Sequence, residues 1–194
     1  DLFGRSGQLT RIDVRLAELP LHQLTLGVGY SANSGPRATV EHIYRRVLGF
    51  PATARNKVEW GTARQAWDGE LSSHPGEGLY RNLVGVTIER LVTDEDTVLS
   101  QRVRAGRTQD SQRIERFYFG QIDRASRRTV GGDRSDAIAY SLNYNWSWRD
   151  IDNPLLPTRG VTVALEGGVG QARDNTGLSG AFGRAYGRVT GYLP

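Results

Sequence analysis

Histidine, cysteine and paired carboxylates supply most enzyme chemistry, and this chain is poor in all such arrangements. His22, His42 and His74 are its only imidazoles, and none falls near another at metal-ligand spacing. There is no cysteine, which removes thiolate nucleophiles, thiolate metal sites and disulfides. Gly-Leu-Ser-Gly at 177–180 lacks the frame of a nucleophile elbow, and Gly-Gly-Val-Gly-Gln-Ala at 167–172 has no βαβ unit around it. Asp94, Glu95 and Asp96 have cation chemistry, but a turn accounts for them equally. Carboxylates elsewhere are too many and too evenly spread to single out an acid–base pair. The expectation is a protein that is not an enzyme, with no catalytic residue, no metal and no cofactor. The densest basic cluster, Arg124, Arg127, Arg128 and Arg134, has the chemistry to hold phosphate; an ordinary solvated loop explains it too. No helix-turn-helix, zinc or RNA-recognition pattern accompanies it, so no nucleic-acid partner is expected.

What remains is a pattern of positions. In Ser-Asp-Ala-Ile-Ala-Tyr-Ser-Leu-Asn-Tyr-Asn-Trp-Ser-Trp-Arg-Asp (135–150), Ile138, Tyr140, Leu142, Tyr144, Trp146 and Trp148 occupy every second place. Period two puts all six on one face of a strand, with Ala137, Ala139, Ser141, Asn143, Asn145 and Ser147 on the other. At roughly 3.3 Å per residue, the stretch 137–149 is about 43 Å long. Tilted by about 45°, it covers roughly 30 Å, the thickness of a hydrocarbon layer.

The same alternation recurs along the chain. A leading strand over 9–18 ends at Leu19-Pro20, and ten more follow: 23–31, 37–49, 54–62, 64–73, 79–92, 97–107, 113–123, 137–149, 161–171 and 181–193. The 24 glycines and seven prolines suit short connections in an all-β fold. No apolar run is long enough for a transmembrane helix. Mean hydropathy of −0.48 fits a polar soluble protein or a barrel whose strands alternate. The face opposite the apolar one carries Arg55, Lys57, Glu59, Asp68, Glu70, Arg102 and Arg104. Such charges have no place in a sandwich core; they suit a wet barrel lumen or the outside of a soluble barrel. In 113–123, Phe117 and Phe119 oppose Ile114, Tyr118 and Ile122, so the orientation is ambiguous. Long connections are expected at 123–136 and 171–180. With no initiator methionine, the chain reads as a processed protein or a piece of a longer one.

Two landmarks carry a family resemblance. One is Ile-Asp-Val-Arg-Leu-Ala-Glu-Leu-Pro (12–20) followed by Gly-Val-Gly-Tyr-Ser (27–31) and Ser-Gly-Pro-Arg (34–37); the other is Asp-Asn-Pro-Leu-Leu-Pro-Thr-Arg-Gly (152–160). In this order and spacing they resemble the outer-membrane protein assembly factors, the BamA and TamA superfamily, with wording most like the TamA branch. The resemblance implies a transmembrane, antiparallel, up-and-down β-barrel of sixteen strands in the bacterial outer membrane. Residues 1–20 would be the last strand and linker of the final periplasmic polypeptide-transport-associated domain, and 21–194 the first ten barrel strands.

It implies further that the first strand is one lip of a weak lateral seam. Leu24, Leu26, Gly27, Val28, Gly29 and Tyr30 would pair with an incoming strand of an unfolded outer-membrane protein, autotransporters among them. Gly27 and Gly29 equally suit close packing in a barrel wall. Asp152, Pro154, Pro157, Arg159 and Gly160 would be the family's turn after the eighth barrel strand. Expected partners are unfolded outer-membrane proteins, outer-membrane lipids and a periplasm-spanning TamB-like protein. The alternative function is an outer-membrane transporter or channel, of the two-partner secretion type or fused to a phospholipase.

Overall fold

The computed structural model describes residues 19–32, 35–153 and 155–193. The expected leading strand at 9–18 lies outside the described residues. Ten strands form one antiparallel sheet in chain order. They are β1 (His22–Ser31), β2 (Gly35–Tyr44), β3 (Ala52–Gly61), β4 (Arg64–Ser73), β5 (Tyr80–Val92), β6 (Asp96–Asp110), β7 (Ile114–Thr129), β8 (Arg134–Ile151), β9 (Gly160–Asp174) and β10 (Ser179–Tyr192). Each strand pairs only with its sequence neighbours, the up-and-down order expected. Among the described residues no helix is long and apolar enough to cross a membrane.

Residues directly opposite in a ladder share a face, so the register sorts every side chain. One row runs Val40, Val58, Trp67, Ile88 across β2 to β5; the row beside it runs Val86, Val103, Ile122, Tyr140 across β5 to β8. A third reads Leu71, Val84, Ala105, Gly120, Leu142, Val169. These rows make a continuous apolar band, most of whose large side chains are exposed. All four tryptophans, Trp60, Trp67, Trp146 and Trp148, lie on this face.

The opposite face holds the cross-strand ion pairs of the sheet's middle and the tightest packing. Ala66, Phe119 and Asn143 are the buried residues with side chains among those described, and each belongs to it. A curled sheet crowds its concave side and spreads its convex one, so the charged face is the inner face. The ambiguity in β7 resolves accordingly. Phe117 and Phe119 stack inside, ring centroids 4.3 Å apart, while Tyr118 and Ile122 join the outer band.

Several expected boundaries move. The second strand ends at Tyr44, and 45–51 is a connection containing a single 3-10 turn. Residues 124–129, expected in a linker, continue β7, and 124–128 pair with 134–138 across a turn at 130–133. The β9–β10 connection is likewise only 175–178. The longer connections, 45–51, 74–79 and 152–159, all sit at the rim where β1 begins. At the other rim β7, β8 and β9 extend as paired strands where loops were expected. There both faces are polar, so the ladder continues after the apolar alternation has stopped.

Candidate functional site

Among the described residues β1 forms one edge of the sheet and is paired on one side only, with β2, from His22↔Tyr44 to Ser31↔Gly35. An edge strand offers every second backbone N–H and C=O to a further strand. Leu24, Leu26, Val28 and Tyr30 all face outward and are exposed, Val28 to 93%. Gly27 and Gly29 face inward. A Cβ at Gly27 would lie 2.5 Å from the Thr39 hydroxyl, and one at Gly29 would lie 3.3 Å from Arg37 Nε. Both glycines therefore make room for side chains of β2, which is the close-packing role.

The foot of β1 is fixed more firmly than its upper half. His22 stacks between His42 and Tyr44, with centroid distances of 5.4 and 4.3 Å. Arg45 donates to the Pro20 carbonyl and to Gln23 Oε1, each at 2.7 Å. The strand is thus held to β2, while no described strand pairs with its other edge.

Cross-strand ion pairs line the inner face. Arg55 meets Glu41 at 2.5 Å, and Arg64 bridges Glu59 and Glu89 at 3.0 and 2.6 Å. Arg102 pairs with Asp123 at 2.7 Å, and Arg104 with Glu70 at 3.0 Å. Further along, Arg184 of β10 reaches across Gly168 to donate to Asn143 Oδ1 at 2.9 Å. Such partly exposed pairs contribute little stability, but they make a polar, hydrated wall.

The 152–159 connection is built around one carboxylate. Asp152 accepts from the Thr158 hydroxyl at 2.6 Å and from the Thr158 and Arg159 amides at 3.0 Å each. Those bonds stabilise the anion and hold the Asp152 carboxyl at about 2, below the usual carboxylate range. Asn153 Oδ1 caps the amides of Leu155 and Leu156. Gly160 has φ +128°, and a Cβ there would lie 2.1 Å from the Asp150 carbonyl oxygen, so only glycine fits. Asp152, Arg159 and Gly160 are therefore brought together, with Pro157 in the same connection; Pro154 lies outside the described residues. Asn153 and Thr158 belong to the 152–160 landmark but not to the turn residues named from it, although Asp and Asn ahead of a proline are an Asx-turn signal. The turn and the β1 edge are separate features: β8 and β9 flank one, β1 and β2 the other.

Among the described residues no group of three or more His, Asp or Glu is placed to hold a metal ion. The nearest thing to a cleft at the edge is a shallow groove over Ala38, between Val28 and Trp60.

Comparison with known proteins gives the fold. The sequence matches no protein family, and no curated protein matches it. Among solved structures, BamA of Haemophilus ducreyi lacking POTRA domains 1–3 is similar, with a TM-score of 0.61 at 11% identity. The likeness covers 90% of this chain and 42% of that one. The described residues are all-β, ten antiparallel up-and-down strands in an open sheet, matching part of a BamA-like barrel.

Proposed function

We propose that this sheet is the first part of an outer-membrane barrel of the assembly-factor type, TamA-like, which inserts β-barrel proteins, autotransporters among them. The observation that supports it best is the two-sidedness of the sheet. An apolar, tryptophan-bearing outer band crosses every strand, and an ion-paired lining faces inward. Lipid outside and water inside is the solvent arrangement that stabilises both faces at once.

On this reading β1 is the lip of the seam. In a lipid environment each unpaired backbone group costs several kcal/mol, so an edge strand held at its foot and open along its side favours pairing with an incoming strand. Clients would be unfolded outer-membrane proteins, and a periplasm-spanning TamB-like protein would deliver or accompany them. No catalytic group is needed.

Val28→Cys in the full-length protein tests this. Val28 touches almost nothing, whereas Gly27→Cys would strike Thr39. The variant should form a disulfide with a cysteine-bearing client strand during assembly. Crosslinking only to the protein's own last strand, while clients assemble at the normal rate, would remove the seam role. Steady ion conductance in planar bilayers with no client crosslink would favour the channel reading instead.

A further inference from the structure

The outer face changes character just above the apolar band, at the rim away from the start of β1. Register places five arginines there: Arg90 on β5, Arg124 and Arg128 on β7, Arg134 on β8 and Arg173 on β9. All five are exposed. Arg127, their neighbour in sequence, instead faces inward and pairs with Asp96. Arg124 and Arg173 flank Ile138 in one row, so their Cα atoms are about 10 Å apart across two strand spacings. Arg128 and Arg134 stand directly opposite each other. Like charges in that position repel unless an anion lies between them. The strand-borne acid on this part of the face is Asp136, and it is already held by Arg134 at 2.8 Å. Arg128 and Arg173 have no ion-pair partner among the described residues, and Arg124 has only a longer-range attraction to Asp136.

Immediately below Arg124 the band opens into a groove of about 820 Å³. Its floor is Gly120, and Val103, Ile122, Tyr140, Leu142 and Val169 rise around it. Ile122 is two residues from Arg124 on the same strand, so groove and guanidiniums form one continuous surface. Guanidinium groups match phosphate oxygens in a bidentate fashion, and an apolar trough beside them matches hydrocarbon.

We propose that these arginines and the groove form a binding site for a phosphorylated glycolipid of the outer leaflet, with phosphates on Arg124, Arg128 and Arg173 and an acyl chain over Gly120. This rests on the reading of the sheet as a membrane wall whose first strand starts on the periplasmic side. The site assigns the arginine cluster to the wall of the barrel, with Arg90 and Arg173 added and Arg127 removed.

The test uses full-length protein in nanodiscs, with bis-phosphorylated lipid A as probe and retained lipid counted by native mass spectrometry. Arg124→Gln/Arg128→Gln/Arg173→Gln should weaken retention at least tenfold, and mono-phosphorylated lipid A should bind the wild type more weakly than the bis-phosphorylated form. Arg46→Gln/Arg159→Gln, at the opposite rim, should retain lipid as the wild type does. Equal retention by the first triple variant, an equal loss in the opposite-rim variant, or complete displacement by inorganic phosphate would each overturn the proposal. Quenching of the outward tryptophans by brominated-chain phosphatidylcholine separates the two levels. If quenching persists while arginine dependence is absent, only the lipid site falls; if quenching is absent, the membrane wall falls with it.

Discussion

Placing an arginine on the outer band tests the solvent of that face directly. Val103 faces outward on β6 and is 44% exposed, between Arg102 and Arg104, which face inward. Ala105, two residues on, also faces outward, opposite Gly120, and the next outward residue of β6 is Arg107. Val103 is the central residue of β6, and Ala105 lies about 7 Å further along the strand, or about 5 Å closer to the other surface at a 45° tilt. From Ala105 an arginine can reach towards headgroups. Val103→Arg, at mid-strand, should therefore cost about 3–4 kcal/mol, and Ala105→Arg, nearer the level of Arg107, about 2 kcal/mol. Neither change crowds a neighbour, because both side chains point away from the sheet. Arg102→Val provides the control. It breaks the pair with Asp123, which still accepts from Gln121 at 2.6 Å, and it should cost under about 1 kcal/mol. Reversible denaturant unfolding of full-length protein in lipid vesicles measures all three. On a face bathed by water, both outward substitutions would stay within about 0.5 kcal/mol of wild type. That result, or a larger loss at 105 than at mid-strand 103, would refute the assignment of the outer face to lipid.

Two further outcomes follow from local geometry. Gly168→Val would set a Cβ 2.5 Å from Asn143 Oδ1 in the path of Arg184, and should destabilise by roughly 1–3 kcal/mol in the same unfolding assay. Gly183→Ala, with no atom closer than 3.8 Å, should be close to neutral, and equal losses would discount the crowding. Asp152→Ala should loosen the 152–159 connection, read as faster tryptic cleavage after Arg159. Because the folded-state carboxyl lies near 2, below its unfolded value of about 3.9, its contribution is complete above pH 4 and fades as pH falls towards 2. Amide protection at Thr158 and Arg159, corrected for intrinsic exchange, should follow that window in the wild type and vanish in the variant. Protection that is flat from pH 5 to 2 would discount the carboxylate's role.

What the sequence reveals is governed by where two solvents meet. Along β8 the alternation from Ile138 to Trp148 is plain because one face must be apolar and the other polar. In 124–129 no alternation exists, yet β7 pairs onward through Arg128↔Arg134, since a ladder needs only backbone partners. The orientation of Phe117 and Phe119 was equally hidden, because an aromatic pair can stack inside a polar lining as well as in an apolar band. The arginine site was the least legible. Arg90, Arg124 and Arg173 are far apart in the chain, and only register puts them on neighbouring rows of one face. Register also makes a boundary of three separate hints. Ile122 on β7, Tyr140 on β8 and Gln171 on β9 share a row, and the next row reads Arg124, Ile138, Arg173. Taken one strand at a time, each arginine is an interruption of the pattern. Aligned across the sheet, the interruptions gather on three successive rows at one rim of the outer face, as a membrane surface would impose on a wall that crosses it and as bulk water has no reason to impose.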